Sequence, residues 1–328
     1  MHAPCTAEPF TLRQEHTCTP DTPLTENDAA AEKTVRILLQ WMPQAQFAGY
    51  IMAQERGFFA EEGLSRVELH WAQLGESPLR ILAKGDMDFA TAWLVSGLQR
   101  WGEGLPIVNI RQFMQHSGSV LIARKSSNIE KIEDLNGKTI LTWGSDFGLE
   151  FELFLKRNAI IPGKVLPLSN SLAPFLYGLA DATQAMDYSE YLRLLERGMK
   201  AEEMTIFPFA QYKVDLAGDG LYTRVNYLQE NRKIVQGVLR AVERGWDYAF
   251  THEDETVDAV LCAGDARKFR SNRNYQLQML RSIRMLMQGY DGTPGELARK
   301  DFEAARAAVI ESGLALHDES YERFFQRP

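Results

Sequence analysis

The sequence predicts an α/β protein built from two similar units, with a helical part at its C-terminal end. Three observations carry this expectation. Between Val35 and Arg124, short β-rich runs alternate with amphipathic helical stretches. The alternation starts afresh near Lys125. From residue 226 to 325 the pattern is almost wholly helical. Strands that alternate with helices call for a sheet with crossover connections.

Residues 1–33 are rich in Thr, Pro, Ala and acids, lack periodicity, and read as a flexible tail. Val35 to Gln40 is the first strand. A helix is expected from Phe47 to Glu62, stopped by Gly63. Arg66 to Trp71 alternates like a second strand. Ser77 and Pro78 suit the N-cap and first position of a helix ending near Gly85. Met87 to Trp93 is a buried strand, followed by a helix to Trp101. Ile107 to Met114 and Ser119 to Arg124 are further strands. The second unit repeats the scheme. Lys138 to Trp143 is a strand, Leu149 to Asn158 a helix and Val165 to Leu168 a strand. Leu172 to Leu179 is a short helix, Asp181 to Met186 a strand and Ser189 to Arg197 a helix. Trp246, Tyr248 and Phe250 lie in an apolar helix and are expected in the core.

Composition narrows the function classes. The chain has 328 residues, enough for a core without metals or disulfides. Its net charge of −8 argues against a nucleic-acid partner, which would call for a basic stripe. No run of about 18 apolar residues spans a membrane, and the first 33 residues lack the apolar core of a signal peptide. Cys5 and Cys18 could bridge and leave Cys262 free, although unpaired thiols are the commoner case. The six histidines, His2, His16, His70, His116, His252 and His317, never fall at metal spacing. The motifs GxSxG, GxGxxG and HExxH and the phosphate-binding P-loop are all absent.

In open α/β sheets, ligands sit beyond the carboxyl ends of the strands. Trp41 to Gln46 occupies that place after the first strand. Trp41 offers a flat face, and Gln44 and Gln46 offer amide donors and acceptors. The same residues would serve as core and solvated caps. Ser77, after the second strand, is either an N-cap or part of a polar site at a helix start. Trp93 follows the third strand, where an aromatic is more often core. Trp143 and Asp146 follow the first strand of the second unit; Asp146 fits a cap better than a ligand contact. Asp187, Tyr188 and Glu190 follow another strand, where a ligand amine could meet them; equally, Ser189 or Asp187 would serve as an N-cap and Tyr188 as core.

Four motifs in order resemble a known family: WMPQAQFAGYIMAQERGFFAEEGL, then IVNIRQFMQHSGSVLIARKSSNIEKIEDLNGKTILTWGSDF, then DATQAMDYSEY, then DGLYTR. Together they resemble the substrate-binding proteins of ABC importers in the SsuA/THI5-like (NMT1/THI5) group, over roughly residues 35 to 260. The resemblance implies a type II periplasmic binding protein. Two α/β lobes would be joined by two crossing strands around a cleft, with the helical C-terminal part on lobe one. Lobe one is then expected at 34–124 plus 220–328, and lobe two at 125–219. The PQAQF and QAM-x-Y-x-E versions are most similar to the thiamine-pyrimidine branch. That branch implies a small heterocyclic ligand, ABC permease subunits as partners, a monomer, an extracytoplasmic address (periplasmic or lipid-anchored), no cofactor and no catalysis. The pocket set is then Trp41, Gln44, Gln46, Tyr50, Ser77, Trp93, Gln115, Trp143, Asp146, Asp187, Tyr188 and Glu190. The fungal THI5-type relatives make the pyrimidine with iron, pyridoxal phosphate and a cysteine-rich run, and no such run exists here. Related domains also act as ligand sensors fused to signalling modules.

Overall fold

The computed structural model describes residues 34–144, 147–169, 171–288, 295–314, 316 and 320–328. All of them lie in one compact unit, Glu32–Pro328. The expected tail, Cys5, Cys18, Asp146 and His317 fall outside the described residues.

The first four strands are β1 (Val35–Leu39), β2 (Val67–Trp71), β3 (Phe89–Trp93) and β4 (Ile107–Gln112). They are followed by β5 (Ser119–Arg124), β6 (Thr139–Thr142), β7 (Lys164–Pro167), β8 (Ala182–Met186), β9 (Met204–Pro208) and β10 (Asp219–Arg224). Two five-stranded mixed sheets result, in the orders β2-β1-β3-β10-β4 and β7-β6-β8-β5-β9. In the first, β1 runs parallel to β2 and β3, while β10 is antiparallel to β3 and β4. In the second, β6 runs parallel to β7 and β8, while β5 is antiparallel to β8 and β9.

The two sheets share one plan, and in each the antiparallel strand is the one the chain enters on crossing over. Residues 113–118 lead from β4 into β5, and residues 209–218 lead from β9 into β10. The crossings run side by side: the amides of Phe113 and Met114 both reach the Asp219 carbonyl at 3.0 Å. Gln112 Nε2 donates to the Gly218 carbonyl at 2.8 Å. This is the two-lobed plan of a type II periplasmic binding protein.

The inner strands β3 and β8 are buried throughout; the edge strands β2 and β7 stay half-buried or exposed, while the edge strand β4 is mostly buried. Helices cover the first sheet, and their packing depends on two glycines. The helix Ala48–Glu55 lies against Arg232–Thr251 so closely that a Cβ on Gly245 would fall 1.9 Å from the Gly49 carbonyl oxygen. A Cβ on Gly49 would meet the Trp246 ring at 2.5 Å.

Four expectations change. β5, grouped by sequence with the first lobe, pairs in the second sheet, because the crossing precedes it. The helix expected from Phe47 to Glu62 is two helices, Ala48–Glu55 and Phe58–Glu61, parted where Gly57 takes φ 71°. β9 was not anticipated. It is a five-residue edge strand ending in Pro208, a residue that weakens a strand signal and is tolerated at an edge. Cys262, on the helix Glu253–Ala266, is disulfide-bonded rather than free. Trp246 is buried and stacks on Phe250 at 5.3 Å.

Candidate functional site

The carboxyl ends of β1, β3, β6 and β8 converge between the two sheets. Their following residues line one cleft: Gln40, Trp41, Gln44 and Gln46 after β1, Trp93 at the end of β3, Trp143 and Phe147 after β6, and Met186, Tyr188, Ser189 and Glu190 from β8 onward. The cleft holds about 390 Å³, part of it open solvent.

One wall is aromatic and crosses the lobes. Trp41 meets Trp143 edge-on at 5.4 Å and Phe147 at 6.1 Å, and Trp93 meets Phe147 at 4.6 Å. Rings in T-shaped contact leave a face available for a flat ligand. Trp143 and Phe147 are held by buried Gln184 on β8. Its Oε1 accepts from the Trp143 amide at 3.0 Å and from Thr142 Oγ1 at 2.7 Å, and its Nε2 donates to the Phe147 carbonyl at 3.2 Å.

The opposite wall is built on a buried carboxylate. Asp219, the first residue of β10, accepts from Gln40 Nε2 at 2.6 Å and Gln46 Nε2 at 2.7 Å. An ionised carboxylate only accepts, so both amides must turn their nitrogens toward it. Gln46 Oε1 then accepts from Gln44 Nε2 at 2.6 Å. The chain of amides leaves Gln40 Oε1 and Gln44 Oε1 with no hydrogen bond to a described residue. Burial pushes the Asp219 carboxyl up to about 6, and the donors from Gln46, Gln40 and Trp93 pull against that rise. The loop carrying these residues is pinned by Gln276, whose Oε1 accepts from the Ala45 amide at 2.7 Å.

Glu190 closes the second-lobe side. Its carboxylate accepts from the Met186 amide at 2.9 Å and Ser189 Oγ at 3.2 Å, and burial raises it above the ordinary carboxylate range. Ser189 Oγ also meets Tyr275 Oη at 3.0 Å, a contact between the lobes.

Behind Trp93, Met186 and Tyr188, a small hollow reaches the two crossings at Ser117, Gly118, Ser119 and Gly218. Glu150 forms part of its wall. The Glu150 carboxyl accepts from Ser119 Oγ at 2.5 Å and Ser117 Oγ at 3.4 Å. Burial lifts it to about 7; the serine hydroxyls oppose the rise and the charge of Asp215 adds to it.

Seven of the expected residues line the cleft: Trp41, Gln44, Gln46, Trp93, Trp143, Tyr188 and Glu190. Four do not. Tyr50 faces inward from its helix and packs edge-on against Phe113 at 6.1 Å. Ser77 stands at the N-cap position of Pro78–Lys84 without a side-chain capping bond and is not among the lining residues. Gln115 spends its amide on the Gln112 and Glu296 carbonyls. Asp187 turns toward the first crossing: a Cβ on Gly118 would lie 2.9 Å from its Oδ1. Burial brings the Asp187 carboxyl up to about 6. Sequence reasoning missed Gln40, Phe147, Met186 and Ser189 in the lining, and Asp219 beneath it. Gln40 and Met186 are the last residues of predicted strands, and their place at the strand ends is the signal that points to them. Asp219 opens the DGLYTR motif, the one local signal that could have found it. Among the described residues, no group of three or more His, Cys, Asp or Glu is placed to hold a metal ion, and no helix is long and apolar enough to cross a membrane.

Comparison with known proteins follows the same lines. A Haemophilus influenzae protein named for thiamine biosynthesis is 27% identical, covering 83% of this chain and 92% of that one. The formylaminopyrimidine-binding protein of Halalkalibacterium halodurans is 22% identical, covering 90% and 88%. The 4-amino-5-hydroxymethyl-2-methylpyrimidine phosphate synthase of Legionella pneumophila is 22% identical, covering 71% and 74%. Among solved structures, the periplasmic aliphatic sulphonate-binding protein SsuA of Escherichia coli superposes with a TM-score of 0.68 at 14% identity, covering 90% and 92%, which establishes the shared fold. The family model described as NMT1/THI5 like matches residues 44–256, well over half of the sequence. The chain therefore belongs to the NMT1/THI5 like family.

Proposed function

We propose that this chain is the solute-binding component of an ABC importer and captures a small, flat, nitrogen-containing heterocycle of the thiamine-pyrimidine-precursor type. The observation that carries the reading is the pairing of an aromatic wall with acceptors oriented by a buried carboxylate. Gln40 Oε1, Gln44 Oε1 and the Glu190 carboxylate present acceptors to the cleft, which suits ring amino groups. Trp41, Trp143 and Phe147 supply flat apolar surface.

The lining also supports a choice among ligands of related proteins. Among the described lining residues there is no Arg, Lys or His. A sulfonate would face Glu190 and, beneath the glutamines, Asp219 with no opposing cation. A neutral or protonated aminopyrimidine meets no such repulsion. Closure of the lobes over the ligand would bury it and form the surface that a permease reads, in an extracytoplasmic setting.

The synthase among the relatives favours a second reading, that of an enzyme making the pyrimidine. Pyridoxal phosphate needs a lysine amine for its Schiff base. No Lys, His or Cys is among the described residues lining the cleft, so these residues do not fit that group.

The test is titration calorimetry of the full chain with 4-amino-5-hydroxymethyl-2-methylpyrimidine, a formylaminopyrimidine, riboflavin and an aliphatic sulfonate. Tight binding of an aminopyrimidine is expected. Preference for the sulfonate, or silence across the panel, would overturn the proposal. A Schiff-base absorbance on adding pyridoxal phosphate would instead support the enzyme.

A further inference from the structure

A second groove lies on the far side of the Ser189–Tyr275 contact, between the same two lobes. One side is the helix Glu190–Glu196 with the residue that follows it, contributing Arg193, Glu196 and Arg197. The other is the segment leading into the helix Arg273–Met287, contributing Phe269, Arg270, Ser271, Asn272 and Tyr275. The groove holds about 620 Å³ and is open to solvent.

Three arginines meet there, in a chain whose net charge is −8. Elsewhere most arginines are engaged, as in Arg157–Glu311, Arg240–Glu62 and Arg281–Glu253. The side chains of Arg193, Arg197 and Arg270 make no ion pair or hydrogen bond with a described residue. Of the acids nearby, Asp265 shares an adjoining hollow with Arg270, and the other two are hydrogen-bonded. Glu196 Oε1 accepts from Asn272 Nδ2 at 2.6 Å, and Glu190 is buried on the Met186 amide, with Arg193 acting on it only through space. Arg193 and Arg197 stand four residues apart on one helical face, where like charges repel. Their place at a helix C-terminus favours cations and accounts for these two. It does not account for Arg270, which comes from the other lobe.

We propose that this groove binds a small oxyanion, a phosphate group, held between Arg193 and Arg197 on one lobe and Arg270 on the other. Guanidinium groups match phosphate oxygens with paired N–H donors, and their charge remains at any working pH. An anion held from both sides also ties the lobes together, so its binding favours the closed arrangement. This inference stands apart from the heterocycle reading, because the two spaces are separated by the Ser189–Tyr275 pair and their lining chemistry is opposite.

The experiment titrates the full chain with inorganic phosphate, by calorimetry and by thermal unfolding, against sodium chloride at equal ionic strength. Phosphate is expected to bind and raise the unfolding temperature where chloride does not. R197Q and R270Q are each expected to weaken phosphate binding about tenfold, the size of one lost charge-assisted hydrogen bond. R232Q, an exposed arginine on another helix, is expected to leave it unchanged. Equal responses to phosphate and chloride, or full affinity in the R193Q/R270Q double variant, would overturn the proposal. Heterocycle titration of the same variants is read separately: loss there with phosphate binding intact bears only on the first cleft.

Discussion

Glu150→Gln tests whether an acid buried against the first crossing sets the pH dependence of stability. Glu150 sits near the start of the helix Gly148–Arg157 and binds Ser119 and Ser117 at the first crossing. Its folded carboxyl titrates near 7, against an ordinary value of 4.5. The folded state therefore holds this proton more tightly than the unfolded chain does. The stability it contributes is fully present below about 4.5 and is lost as pH rises through about 7. The gap between those two values corresponds to ~3 kcal/mol. Glutamine keeps the shape and can still accept from Ser119, but it carries no charge to bury. The variant should thus gain about 3 kcal/mol relative to the parent between the acid and neutral ends of that window. Urea unfolding of both proteins at intervals across the window measures the difference. Parallel stability profiles would refute the reasoning, because they would mean that Glu150 feels the same environment folded and unfolded.

Three further outcomes are expected. Trp41→Ala should weaken binding of an aminopyrimidine by ~1–3 kcal/mol in calorimetry, the range for a stacked base, while leaving the unfolding temperature nearly unchanged because Trp41 is only partly buried. Gln46→Ala should cost ~1–3 kcal/mol in urea unfolding, since Asp219 Oδ2 would lose its donor while still buried; a neutral change would show that Gln44 or solvent replaces it. Gly245→Ala should destabilise by at least ~1–3 kcal/mol, because the new methyl would press on the Gly49 carbonyl; an unchanged midpoint would mean the helices slide apart at little cost.

Strand runs such as Val35–Leu39 and Ala182–Met186 announce themselves by short-range composition, and the residues just after them reach the cleft because parallel strands end at one edge. That is why Trp41, Gln44, Gln46, Trp143, Tyr188 and Glu190 were accessible to sequence reasoning. Tyr50 and Gln115 misled because an aromatic or an amide looks the same in sequence whether it faces the cleft or the core. Gln115 turns to backbone carbonyls at the crossing, and Tyr50 turns to Phe113.

By itself, the sequence determined the repeated α/β alternation, the helical C-terminal part, the loops at the strand ends and the family to which they belong. Each of those rests on local periodicity or on contiguous motifs. Only the tertiary structure decided that β5 and β10 exchange sheets, that Asp219 anchors glutamines 173 and 179 residues away, and that arginines of two lobes face one groove. Those pairings are set by which surfaces close on each other when the two sheets pack, a property of the whole chain that no short window carries.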